Sequence, residues 1–158
     1  MMEPSFEKLL ALLADSKVDF ILVGGIAVTI QGYVRFTEDV DILIKDTVDN
    51  KERLLLGLAN YGEGFAKELT VDDFTDEEGA IRIIEEVEQC QIDIFTRMDS
   101  RKYDDVAIDA DIFRVAGHEI KLASKASLIG WKSKSTREKD RIDAMALSRL
   151  QDDPKAFD

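Results

Sequence analysis

A single cysteine, Cys90, in 158 residues excludes an internal disulfide and a cysteine-based zinc site. A single histidine, His118, excludes every motif that needs two. No apolar run approaches the roughly 20 residues that span a bilayer. The start Met1-Met2-Glu3-Pro4-Ser5 lacks a basic segment followed by an apolar one, so no signal peptide is expected. With 2 Pro and 9 Gly, the chain offers no Pro/Gly/Ser-rich linker. It also shows no internal repeat and no low-complexity tract, so one domain over residues 1–158 is expected, with a helical element at about 124–150. What remains is 45% hydrophobic and 34% charged. That is enough apolar material for one core and too much for a disordered chain. The expected location is the cytoplasm.

Positive charge is also scarce. The net charge is -12, which argues against general affinity for nucleic acid, because phosphate binding depends on Lys and Arg. The deficit is uneven. Residues 63–111 hold 16 acidic and 5 basic side chains, whereas residues 121–149 hold 8 basic and 3 acidic. The basic segment is expected to be a solvated helical surface, with a small bound anion such as a nucleotide as the alternative.

Helical spacing of Phe6, Leu9, Leu10 and Leu13 predicts a helix to about Asp15, capped by Ser5. Residues 19–23 read as a buried strand ended by Gly24-Gly25. Residues 26–31 read as a turn or two of helix stopped by Gly32. In residues 39–44, Val40, Ile42 and Ile44 alternate with Asp39, Asp41 and Leu43, predicting a strand. A helix over 49–61 turns Leu54, Leu55 and Leu58 inward. Residues 63–79 carry no clear period. Residues 80–87 and 91–97 read as a hairpin turning near Glu88 and Gln89, and the run Glu85, Glu86, Glu88 as its solvated edge. A short helix near Tyr103, a hairpin over 112–115 and 119–122, a Ser124-capped helix to Lys132 and a helix over 136–150 complete the chain. In the last, Ile142, Met145, Ala146 and Arg149 share helical spacing. The order implies an α/β sandwich with a mixed sheet and flanking helices, not regular βαβ units.

The chemistry concentrates in Gly24-Gly25 and the later Asp39-Val40-Asp41. Alternate strand residues point the same way, so Asp39 and Asp41 project together. Two close carboxylates repel unless solvent or a cation intervenes. Hard oxygen ligands suit Mg²⁺ or Mn²⁺. Asp93, between Ile92 and Ile94, supplies a third carboxylate if its strand pairs beside 39–44. Three carboxylates can hold two metals for an in-line phosphoryl displacement. Glycines at a strand-to-helix turn let a phosphate approach the backbone. Each piece alone has an ordinary reading: a solvated acidic pair, a plain turn, an edge aspartate. Their combination in this order is far more specific.

With these residues the sequence resembles the nucleotidyltransferase superfamily that includes DNA polymerase beta. Leu22-Val23-Gly24-Gly25-Ile26-Ala27-Val28, then Gly32, Arg35, Thr37, Asp39, Val40 and Asp41, is similar to the small bacterial nucleotidyltransferases related to AbiEii toxins and to the minimal nucleotidyltransferase antitoxins. Lys132 and Arg137-Glu138-Lys139-Asp140 match their C-terminal basic cluster in kind. The resemblance implies the fold and a metal-dependent transfer of a nucleoside monophosphate from an NTP to an acceptor hydroxyl on RNA, protein or a small molecule. Asp39, Asp41 and Asp93 would be catalytic and hold Mg²⁺ or Mn²⁺. Gly24 and Gly25 would cradle phosphates, with Arg35, Thr37 and Lys132 as further nucleotide contacts. Many active relatives carry Ser where this chain has Gly25. The alternative is a weakly active or non-catalytic module of a toxin–antitoxin-like pair that acts by binding a protein. His118 is expected at the surface, Cys90 near a turn without activation, and Trp131 as a core or interface anchor.

Overall fold

The computed structural model describes residues 4–34, 39–86 and 89–157. Six strands form one mixed sheet. They are β1 (Phe20–Val23), β2 (Asp39–Ile44), β3 (Ala80–Glu85), β4 (Cys90–Phe95), β5 (Asp111–Val115) and β6 (His118–Leu122). Their order across the sheet is β3-β4-β2-β1-β6-β5. β1 runs antiparallel to β2 and parallel to β6, and β2 runs parallel to β4. β3 and β5 close the edges as antiparallel hairpin partners of β4 and β6. Six helices flank this sheet: α1 (Pro4–Asp15), α2 (Gly24–Ile30), α3 (Val48–Leu58), α4 (Tyr103–Ala107), α5 (Lys125–Ser133) and α6 (Glu138–Asp152). This is the expected α/β sandwich.

Apolar periodicity explains most elements. Phe6, Leu9, Leu10 and Leu13 of α1 are buried, and all four residues of β1 are buried, as a central strand requires. α1 starts at Pro4, so Ser5 lies inside the helix and is not its cap. A proline fits the first helical turn, where its missing N–H has no intrahelical partner to lose. Thr47 caps α3, its Oγ1 accepting from the Asn50 N–H at 3.2 Å. Ser124 caps α5 as expected, accepting from the Ser127 N–H at 3.0 Å. The β5–β6 turn passes through Ala116 at φ 50° and Gly117 at φ 81°. Paired positive φ values match the right-handed twist of a tight hairpin.

Two expectations are corrected by buried charge. Glu85 does not lie on a solvated edge: it is 2% exposed, and its Oε2 accepts from the Glu63 N–H at 2.8 Å. Gly62, at φ +57°, makes room, since a Cβ there would lie 2.1 Å from that carboxylate oxygen. In α6, Ile142 and Met145 are exposed, while Asp140, Asp143, Ala144, Ala146, Leu147 and Leu150 are buried. The helix is phased by its aspartates, which turn inward to the Lys132 ammonium. Residues 63–79, which lack a period, contain two short 3₁₀ turns, Phe65–Glu68 and Val71–Asp73. They are tied to α3 by Lys51, whose Nζ pairs with Asp46 and donates to the Phe74 carbonyl at 2.8 Å.

Asn50 locks the strand ends beneath the site. Fully buried, it accepts from the Asp19 N–H at 2.7 Å and donates to the Asp19 and Lys45 carbonyls at 2.9 Å each. Asn50→Ala leaves backbone polar groups unpaired in the interior and is expected to destabilise by about 3 kcal/mol. The melting temperature should fall by about 9 °C in a calorimetric scan. An unchanged value would show that water replaces the amide without loss.

Candidate active site

The site lies where β1, β2 and β4 run side by side. The β1–β2 register sets Val23 opposite Asp41, and the β2–β4 register sets Asp41 opposite Asp93. Asp39 sits two residues before Asp41 on the same face. Carboxylate oxygens of Asp39, Asp41 and Asp93 all lie within 4.8 Å of one another. The convergence expected from the alternation in β2 and from Asp93 is therefore present.

Gly24 completes the geometry. It opens α2 at φ +71°, and a Cβ built there would come within 1.8 Å of Asp41 Oδ2. Only a glycine both adopts this backbone and leaves room for the carboxylate. Gly25 is buried in the same turn. The Gly-Gly pair and the D-x-D pair, about fifteen residues apart in the chain, are in contact in space.

Electrostatics marks Asp41 most strongly. Burial, reinforced by Asp39 and Asp93 and opposed by Lys132, pushes its carboxyl up to about 8. Burial and then Asp93 raise Asp39 as well. Asp41 Oδ1 is buried and has no hydrogen-bond partner among the described residues. Such an atom is unusual in a folded chain and signals a missing ion or ligand. Three carboxylate oxygens at this separation, beside an unpartnered oxygen of Asp41, fit Mg²⁺ or Mn²⁺, which take hard oxygen ligands and keep open positions for others.

Two cations flank the cluster. Lys132 on α5 is mostly buried, its Nζ 3.0 Å from Asp140 Oδ1 and 3.3 Å from Asp143 Oδ2. Burial works against ionised Asp140, but hydrogen bonds from Ser135 and Lys132 outweigh it and hold the carboxyl below its usual range. The second cation is Arg82 on β3, directly across from Asp93. Its Nε donates to Asp93 Oδ1 at 2.9 Å and its second guanidinium nitrogen to Oδ2 at 3.3 Å. Sequence reasoning missed Arg82. The signal that finds it is the hairpin register, because Glu85 pairs with Cys90 and Arg82 therefore falls opposite Asp93. Arg35 and Thr37 lie outside the described residues. Among the residues assigned no role, His118 Nε2 lies 3.0 Å from Asp15 Oδ1, Cys90 is buried, and Trp131 packs half-buried beneath the Arg101 guanidinium.

The six-stranded mixed sheet with its flanking helices matches the fold of solved nucleotidyltransferase structures. The lincosamide antibiotic adenylyltransferase LnuA, in its lincomycin-bound form, superposes with a TM-score of 0.65 at 17% identity, over 95% of this chain and 98% of that one. An antigenic nucleotidyltransferase-like protein from Paracoccidioides brasiliensis gives 0.55 at 19% identity, over 91% and 73%. A Thermotoga maritima protein classed among the nucleotidyltransferases gives 0.52 at 15% identity, over 98% and 92%. No protein-family model and no curated protein sequence matches the chain. No helix among the described residues is long and apolar enough to cross a membrane.

Two predictions follow from the Asp41 environment. Gly24→Ala forces the methyl into the carboxylate and is expected to destabilise by about 3 kcal/mol, read as a fall in urea midpoint. A wild-type midpoint would show that the α2 turn moves freely. The second concerns pH. A carboxyl raised from 3.8 to about 8 binds a proton in the folded chain that the unfolded chain releases. Its contribution to stability is therefore present below pH 3.8 and is lost as pH rises through about 8. Without metal, Asp41→Asn should be the more stable protein at pH 8, read as a melting temperature several degrees higher. That difference should vanish toward pH 4. A difference independent of pH would show that Asp41 is ionised throughout.

Proposed function

We propose that the protein is a divalent-metal-dependent nucleotidyltransferase that moves a nucleoside monophosphate from an NTP to the hydroxyl of a small molecule. The observation that carries this reading is the Asp39, Asp41, Asp93 cluster, in which Asp41 sets Oδ2 against the Gly24 backbone and keeps Oδ1 without a partner among the described residues. Bound Mg²⁺ or Mn²⁺ would polarise the α-phosphoryl group and neutralise charge on the attacking and leaving oxygens. Asp39 and Asp41 would hold the metals, and Asp93 would complete the second site. The acceptor oxygen attacks the α-phosphorus, the bond to the bridging oxygen of the β-phosphate breaks, and pyrophosphate leaves. Asp93, beside the incoming hydroxyl, takes its proton. Gly24 and Gly25 leave the backbone open to the β- and γ-phosphates. Lys132 would offset the triphosphate charge, with Arg35 and Thr37 as further contacts to it or braces of the loop. Asp140 and Asp143 hold the lysine's ammonium in place.

A small-molecule acceptor is favoured over an RNA end by the net charge of -12, which repels a polyanion. It is also supported by the superposition with LnuA over nearly the whole of both chains. The narrower likeness to AbiEii-related proteins rests on residues 22–41, and an acidic surface suits a basic protein partner. The test is a thermal-shift titration with each NTP, with and without Mg²⁺ or Mn²⁺, on wild type and on Asp39→Asn/Asp41→Asn. At about 100 times its dissociation constant, the donor NTP should stabilise by about 2.7 kcal/mol. It should do so only with metal, and not in the double variant. No shift with any NTP would remove the enzyme reading and leave the protein-binding one.

A further inference from the structure

Arg82 occupies the carboxylate that the second metal needs. Both oxygens of Asp93 accept from its guanidinium, at 2.9 and 3.3 Å. The Asp93 side chain is 7% exposed, and so has little room to seek other partners, whereas that of Arg82 is 58% exposed and open to solvent. The pairing is built into the sheet, because β3 and β4 place the two residues as direct cross-strand neighbours. A planar guanidinium matched to both oxygens is the stronger form of such a pair, and it takes one lone pair of each oxygen and competes with a cation for the carboxylate's charge. Asp41, by contrast, keeps an oxygen without a partner among the described residues. The cluster thus presents one side ready for a cation and one side already filled.

We propose that Arg82 is a latch on Asp93. It balances the cluster's negative charge while no cation is bound, and it must release at least one Asp93 oxygen when the second metal enters. The inference rests on the metal-dependent reading above. It assigns Arg82 as a competitor of the second metal for Asp93, which lowers metal affinity without itself being a ligand. The half-exposed position fits this role. A guanidinium that can turn into water loses little on release, whereas a fully buried partner would be trapped as an uncompensated charge.

The test is Mn²⁺ titration followed by electron paramagnetic resonance on the full chain, comparing wild type with Arg82→Ala and Arg82→Lys. Without the latch, Arg82→Ala should bind Mn²⁺ about tenfold more tightly, in line with the loss of a competing charge-assisted pair. Arg82→Lys keeps the charge and loses the two-pronged geometry. It should also bind more tightly, by about threefold. Wild-type affinity in Arg82→Lys with tighter binding in Arg82→Ala would reduce Arg82 to a distant charge and overturn the latch. Weaker Mn²⁺ binding in both variants would make the guanidinium a support for the metal-binding geometry and would overturn it too. If neither wild type nor variants bind Mn²⁺, the metal-dependent reading falls and takes the latch with it. Equal measurable affinity in all three overturns the latch alone.

Discussion

The contact between the Asp41 carboxylate and the bare α-carbon of Gly24 governs the site and much of the fold around it. Asp41 lies on β2 opposite the last residue of β1, so its side chain projects into the space where the chain leaves β1 and enters α2. Any Cβ at position 24 would collide with it. The glycine lets strand, turn and carboxyl group share that space, and the result is a buried, mostly desolvated carboxyl, raised to about 8, with two others close by. Such an arrangement opposes folding on its own, since like charges in a low-dielectric setting repel and lose hydration. Perturbed carboxyl groups of this kind cluster at sites that bind or react.

The rest of the structure is organised to contain that charge. On one side β3 brings Arg82 across to Asp93. On the other, α5 carries Lys132, whose influence lowers the proton affinity of Asp41. A buried ammonium needs its own partners, and α6 supplies Asp140 and Asp143. Ser135, in the α5–α6 connection, fixes Asp140 in turn. This chain of partners explains why α6 buries two aspartates and leaves Ile142 and Met145 in solvent. Ala144, Leu147 and Leu150 are buried on the same face, so apolar burial and the lysine's partners set the phase of the helix together. The electrostatic demand ranks beside hydrophobic periodicity here, since an unpaired buried ammonium is costly.

That ranking also separates what was legible in the sequence from what was not. Local alternation places Asp39 and Asp41 on one face, and the isolated Asp93 between two isoleucines marks a second strand. The glycine pair marks the turn. All three read correctly because each depends only on residues one or two positions away. Arg82 depends on register. A turn centred at residues 88–89 would set Arg82 opposite Phe95, whereas the observed pairing of Glu85 with Cys90 sets it opposite Asp93. A shift of this size is invisible to strand periodicity, because both registers keep every side chain on its own face. Glu85 was misread for a related reason. Its burial depends on a glycine and a backbone N–H in a connection with no period of its own. Ser5 lost its capping role to the neighbouring Pro4, a competition between two helix-start signals one residue apart.

The uneven charge along the chain acquires a spatial meaning from the same geometry. The acidic stretch 63–111 includes β3 and β4 and contributes Asp93 to the cluster, whereas the basic stretch 121–149 covers α5 and most of α6. The carboxylates therefore sit at the seam between an acidic hairpin and a basic helical pair. The phosphates of a nucleotide would be drawn toward the Gly24 and Lys132 side, where backbone N–H groups and an ammonium await them. A divalent cation would be drawn toward the aspartates at the seam. The two attractions meet at Asp41, the residue that touches Gly24 and faces Asp93. A cation there gains from both neighbours, and an anion beside it gains from the cation. Nucleotide and metal should therefore bind as a linked pair, each raising the affinity of the other by the same factor. That coupling would follow from placing the Asp41 carboxyl between the glycine turn and the other two aspartates.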